Sequence, residues 1–146
     1  MIGRLLGIDY GLKRIGLAVS DANGIVAREL MILHRRSKRE DFAEIAAIVE
    51  REQIVAFVVG LPVSYDAPEG VYTQADRVRN WVKKLVEVIP LPFVLWNEYL
   101  TSEEARELAR EIGRNPREAI DDLAARIVLQ TYLDALRDGL ATPPQR

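Results

Sequence analysis

Short apolar runs and longer amphipathic stretches follow one another along the chain, and their order sets the expected architecture. Residues 4–10 (RLLGIDY) and 14–20 (RIGLAVS) read as two short strands joined by Gly11-Leu12-Lys13. Ile15, Leu17 and Val19 alternate with Gly16 and Ala18, the pattern of a pleated strand with one small-residue face. Asp21-Ala22-Asn23-Gly24 signals a turn, after which residues 25–33 form a third strand. Phe42, Ile45, Ala46, Ile48 and Val49 then repeat at helical spacing over residues 40–52. IVAFVVG (54–60) is a nearly unbroken apolar run, as a strand covered on both faces requires.

The rest of the chain alternates. Residues 63–70 (VSYDAPEG) read as a polar loop, 72–88 as a helix with Val78, Trp81, Val82 and Leu85 on its apolar side, and 91–96 (LPFVLW) as a buried strand. Thr101 and Glu104 have the spacing of a capping box for a helix that Gly113 ends. A last helix spans 117–137, with Ile120, Leu123, Ala124, Ile127, Leu129 and Leu133 as core candidates. The order β-β-β-α-β-α-β-α-α predicts an α/β protein: a mixed five-stranded sheet of ribonuclease-H-like layout with helices on both faces. No repeat or linker divides the chain, so one domain over 1–138 with a flexible tail, 139–146, is expected.

Composition narrows the chemistry. There is no cysteine and a single histidine, His34, which excludes disulfides, thiolate sites and a His-rich zinc site. No apolar stretch is long enough to span a bilayer and no signal-peptide core is present, so a cytoplasmic protein with no membrane partner is expected. A net charge of −2 does not mark a nucleic-acid binder. Cations are clustered locally, however: Arg35, Arg36, Lys38 and Arg39 in HRRSKRE, and Arg77, Arg79, Lys83 and Lys84 along the later helix. Such clusters read either as solvated faces or as phosphate contacts beside an acidic site.

The carboxylates supply the sharper signal. In sheets with parallel strands, ligands bind beyond the strand carboxyl ends. Asp9 ends the first strand, Glu98 follows LPFVLW, and Asp121 and Asp122 open the last helix. The helix macrodipole accounts for one of the last two, and Glu98 alone would pass for a loop acid. Asp9 is harder to dismiss, because a carboxylate at a buried strand end costs free energy unless something binds it. Crowded carboxylates call for a divalent cation, and all-oxygen ligation suits Mg²⁺ or Mn²⁺, one ion or two. Such ions support phosphodiester hydrolysis.

Four segments, GIDYGLKRIGLAVSD, VVGLPVSYDAPEG, LWNEYLTSEEA and IDDLAARIVLQTYLD, together resemble the YqgF/RuvX family of bacterial ribonuclease-H-like proteins. Its members are described as Holliday junction resolvases or pre-16S rRNA nucleases. The resemblance implies a divalent-metal nuclease with Asp9, Glu98 and Asp121 as catalytic, metal-holding acids. Asp121 is chosen over Asp122 by the family pattern D-x-x-A-A. Arg14 then matches a basic residue for a phosphate, and Gly60, Pro62, Glu69 and Gly70 match a loop beside the nucleic acid. Thr101 continues the third motif, and Arg77 is carried as a further phosphate contact. Where the family reads D-E-R-L-T, this chain has Asn97-Glu98-Tyr99-Leu100-Thr101, which replaces an arginine by Tyr99, a residue able to stack on an unpaired base.

The implied partner is structured RNA or branched DNA, with monomer and homodimer both open. Processing of the 5′ end of pre-16S rRNA is the preferred role, and junction resolution is the alternative. A nucleic-acid-binding or transcription-associated factor with weak catalysis is a further one. An actin-like ATPase, which shares the first strand pair, needs a second domain for which 146 residues leave no room.

Overall fold

The computed structural model describes residues 2–62, 68–98 and 102–145. Its elements are β1 (Arg4–Tyr10), β2 (Arg14–Ser20), β3 (Ala27–His34), α1 (Lys38–Glu52), β4 (Ile54–Pro62), α2 (Gln74–Val88), β5 (Phe93–Glu98), α3 (Ser102–Glu111) and α4 (Asp121–Arg137). The strands form one sheet in the order β3-β2-β1-β4-β5. β1, β2 and β3 pair antiparallel, while β4 and β5 continue the sheet parallel to β1. The carboxyl ends of β1, β4 and β5 therefore lie together at one end of the sheet.

Each face of the sheet has its own apolar layer. Leu6, Ile8, Ile15, Leu17, Phe57 and Val59 point towards α1 and α2, which supply Phe42, Ile45, Ile48, Val78, Trp81 and Leu85. Leu5, Ala18, Ala56 and Val58 point the other way, against Ala125, Leu129, Tyr132 and Leu133 of α4. Small residues predominate on that second face, which lets α4 lie close to the strands. Alternation along β1 thus assigns Leu5, Gly7 and Asp9 to the α4 face, and Leu6, Ile8 and Tyr10 to the α1–α2 face.

Several element ends differ from the sequence pattern, and each difference has a local cause. β3 starts at Ala27 rather than at 25, because Asp21 Oδ1 accepts the N–H groups of Ile25 and Val26 at 2.8 and 2.9 Å and keeps them in the turn. The Val26 bond is also the main reason why the Asp21 carboxyl sits below its ordinary pKa. α1 starts at Lys38, where Ser37 Oγ accepts the Glu40 N–H at 3.1 Å. α4 starts at Asp121 rather than at 117. Asn115 Oδ1 accepts the Arg117 N–H at 2.9 Å, and its carbonyl accepts the Glu118 N–H at 3.0 Å, a turn that competes with the helix.

β4 runs through Pro62, which pairs with Glu98, so Gly60 and Pro62 are strand residues and not part of the following loop. A proline is tolerated there because it occupies the last strand position. The predicted Thr101–Glu104 capping box lies outside the described residues, since Thr101 does. Tyr132 donates a 2.6 Å hydrogen bond to the Thr142 carbonyl, and Ala141 packs on the α4-side core. Among the described residues no helix is long and apolar enough to cross a membrane.

Candidate active site

The site is built on a missing side chain. Asp9, near the end of β1, pairs directly with Gly16 of β2. A Cβ on Gly16 would run into the Asp121 carbonyl at the start of α4. Only glycine therefore lets the first turn of α4 rest on the strand. Gly7, two residues before Asp9, does the same further along: a Cβ there would lie 2.8 Å from Leu129 Cβ and 3.1 Å from the Ala125 carbonyl. Directly paired residues of an antiparallel ladder share a face, with Cα atoms about 4.5–5.5 Å apart. Asp9 is thus on the α4 face, beside the strand position on which the Asp121 backbone rests.

The two aspartates that open α4 have different surroundings. Asp121 is partly exposed and accepts a 2.8 Å hydrogen bond from Arg14 Nε, a charge-assisted contact that joins the start of β2 to the start of α4. Asp122 is buried and held by both ends of a guanidinium: Arg114 Nη1 to Oδ1 at 2.7 Å and Nη2 to Oδ2 at 3.2 Å. The hydrogen bonds to Asp122 raise the Arg114 pKa above its usual value. Arg114 Nη1 also binds the Ala119 carbonyl at 3.2 Å, tying the α3–α4 connection to the helix start. Asp122 thus has both carboxylate oxygens engaged by Arg114, whereas Asp121 is the more exposed of the two and is held by Arg14 through one oxygen.

Glu98 is the last residue of β5, in register with Pro62, and Gly60 pairs with Trp96. Val94 and Trp96 pack on the α4-side core, so alternation places position 98 in the same row, at the carboxyl end. Two strand spacings, about 10 Å, separate β5 from β1 across β4. The Glu98 side chain, Tyr99 and Thr101 lie outside the described residues. Among the described residues no group of three or more His, Cys, Asp or Glu side chains comes together as a metal site. Asp9 and Asp121 nevertheless offer carboxylate oxygens at this end of the sheet, donors that suit a hard cation, and Glu98 is the position that would complete the set.

The remaining expected contacts divide. Arg14 joins Asp121 at the site. Glu69 and Gly70 form an exposed turn ahead of α2, in which the Val71 N–H meets the Pro68 carbonyl at 3.3 Å. Arg77 lies elsewhere, on α2, with its guanidinium 5.9 Å from the Tyr72 ring, in a cavity that Tyr10 also lines on the opposite face of the sheet. It is not brought to the acids. HRRSKRE also separates. Arg35 bonds the Tyr10 hydroxyl at 3.0 Å and the Gly11 carbonyl at 3.1 Å, and faces the buried Asp41 at 3.7 Å, a structural clamp rather than a phosphate contact. Arg36 pairs with Glu40 and Glu44 on the surface.

Sequence reasoning missed Arg114 and its role. A buried aspartate in a helix first turn requires a cation, but nothing in the local pattern singles out Arg114 as that cation.

Comparisons with known proteins converge. The model of the RuvX family, described as Holliday junction resolvase, matches residues 3–135. A protein of Syntrophus aciditrophicus (strain SB) named "Putative pre-16S rRNA nuclease" is 38% identical over 136 residues, which cover 91% of this chain and 89% of that one. One of the same name from Thermoanaerobacter pseudethanolicus is 37% identical over 139 residues, covering 92% and 99%. Among solved structures, Thermus thermophilus RuvC in complex with a Holliday junction substrate superposes with a TM-score of 0.63 at 20% identity, over 97% of this chain and 99% of that one. That likeness establishes the ribonuclease-H-like fold.

Proposed function

This chain belongs to the RuvX family, and we propose that it is a divalent-metal-dependent nuclease, with Asp9, Glu98 and Asp121 as its acids and the 5′ side of pre-16S rRNA as its substrate. The observation that carries the reading is the Asp9–Gly16 pair with Asp121 resting on Gly16. It places two carboxylate-bearing residues, far apart in sequence, at one end of the sheet, and Glu98 ends a parallel strand at that same end. Relatives named as pre-16S rRNA nucleases support the reaction class and the choice of RNA.

Asp9, Glu98 and Asp121 would hold Mg²⁺ or Mn²⁺, which when bound supplies a nucleophile from water and compensates charge on the leaving oxygen. The protein's part is positioning. Asp9 is fixed by the β1–β2 ladder, and Asp121 by the backbone contact that Gly16 permits. Arg14, whose side chain is 44% exposed, already binds one oxygen anion at 2.8 Å. Its planar fork suits a phosphate of the substrate equally well. Asp122, saturated by Arg114, keeps the α4 first turn in place and does not act on substrate. The protein is assigned to the cytoplasm, where ribosomal RNA is processed.

The family description favours a second substrate, the four-way DNA junction. One panel decides: a 5′-extended pre-rRNA fragment, single strand, duplex and four-way junction, each incubated with Mn²⁺ and wild type or Asp9→Asn. Preferential cutting of the RNA fragment, absent in the variant, is expected. Preferential cutting of the junction would replace the substrate, and equal cutting by Asp9→Asn would remove the site.

A further inference from the structure

Behind Asp9, on the other face of the sheet, the chain forms a basic cavity of about 420 Å³ that the nuclease reading leaves without a role. Lys38 from α1 and Arg77, Lys83 and Lys84 from α2 line it, against Glu87 as its one lining carboxylate among the described residues. Arg77, Asn80, Lys84 and Glu87 recur at three- and four-residue steps, so α2 presents them as a single stripe. Other cations nearby are neutralised: Arg35 by Asp41, Arg36 by Glu40 and Glu44, Arg79 by Asp76. Lys38, Arg77, Lys83 and Lys84 have no ion-pair partner among the described residues.

Two features make this more than a solvated face. Lys38 occupies the first position of α1, where the helix dipole disfavours a cation. It also stands against Lys84. Hydrogen-bonding and charge crowding by Lys84, then desolvation and Arg35, pull its pKa below the ordinary lysine value. Both side chains are exposed, and facing each other across two helices they add to a positive potential that an anion would compensate. Donors accumulate beside them. Asn80 Nδ2 holds the Tyr72 hydroxyl at 2.9 Å, and the buried indole N–H of Trp81, a lining residue, has no acceptor among the described residues. Tyr10 places the cavity: its ring meets that of Trp81 at a 50° tilt, 5.2 Å between centroids, and it directly follows Asp9 on β1. Consecutive strand residues face opposite sides, so one strand end carries an acid on one face and the wall of a cation-lined cavity on the other.

We propose that this cavity is a second phosphate site, which seats a backbone phosphate of the nucleic-acid strand as it passes over the end of β1 to Asp9. The inference rests on the nucleic-acid reading above, but its test needs no cleavage. RNA binding is measured by fluorescence anisotropy without metal, in the Asp9→Asn background, for Lys38→Gln/Lys84→Gln and for a charge-matched control, Arg36→Gln/Arg137→Gln. The pocket pair should lose affinity about tenfold and flatten the dependence of log Kd on log salt by about one, while the control moves less than twofold. Inorganic phosphate and a mononucleotide are titrated separately, with the amide shifts of residues 38 and 84 followed by NMR. Equal losses in both pairs, or no RNA binding by the parent, would overturn the proposal. So would lost phosphate shifts with unchanged RNA affinity, which would assign the cavity to a free phosphate compound. Unchanged circular-dichroism melting confirms that both pairs are folded. Failure of the nuclease reading would appear instead as no metal-dependent cleavage by wild type.

Discussion

The two faces at the carboxyl end of the sheet are built on opposite principles. On the α4 face the helix lies directly on the strands: Gly7 admits Leu129, and Gly16 the Asp121 backbone, to distances that a Cβ would not allow. On the α1–α2 face, rings and long cations leave an open cavity between Tyr10, Tyr72 and α2. The first arrangement fixes the backbone that carries two acids, which the proposed metal-assisted chemistry would need. The second leaves flexible cationic side chains around a space, which the proposed phosphate site would use. A single strand end, Asp9-Tyr10, contributes to both.

The comparison is broken most severely at Gly16. Gly16→Val should destabilise the protein by about 3 kcal/mol or more, because its side chain meets fixed backbone rather than a side chain that can turn away; chemical denaturation measures this. On the open face, Asn80→Ala should stay within about 0.5 kcal/mol. A comparable loss in both variants would mean that the two faces do not differ as described.

The adjacent aspartates sharpen the contrast. Asp122→Ala leaves the partly buried Arg114 guanidinium without its bidentate partner and should cost about 3 kcal/mol of stability. Asp121→Ala removes a solvent-exposed pair with Arg14 and should cost less than about 1 kcal/mol, with its effect on cleavage instead. If the stability losses were reversed, the roles would have to be exchanged.

Smaller effects follow at the far end of α4 and on α2. Burial raises the Tyr132 pKa to about 12. Its folded-state value therefore lies above the unfolded one of about 10, so its contribution is complete below pH 10 and is lost as pH rises through 12. Tyr132→Phe should flatten that alkaline decline, and should cost about 1 kcal/mol at neutral pH through the lost bond to Thr142. Thr73→Ala removes the α2 capping-box hydroxyl and should cost about 1 kcal/mol or less, readable as a small shift in the denaturation midpoint.

Much of this was legible in the chain itself, for a physical reason. Strands and helices announce themselves by period, and Asp9 stands out because it closes an apolar run. What pattern cannot show is who meets whom. The family pattern favours Asp121 over Asp122 without giving a physical reason, and the turn after Gly113, which carries Arg114 back to Asp122, supplies one. HRRSKRE reads as one basic patch, yet Arg35 is consumed by Tyr10 and Asp41 while Lys38 faces Lys84. Gly16 shows the same limit: its sequence context marks a small strand position, but its function is to admit a helix 105 residues later.

The central claim, that Asp9 and Asp121 share one divalent cation at the end of the sheet, is open to direct measurement by paramagnetic broadening. Substoichiometric Mn²⁺ should selectively broaden the amide signals around residues 9, 16 and 121 in a ¹⁵N-labelled sample. Asp9→Asn and Asp121→Asn should each abolish the effect while leaving the rest of the spectrum in place. Broadening that persists unchanged in both variants, or that centres on residues 80–84, would contradict the account.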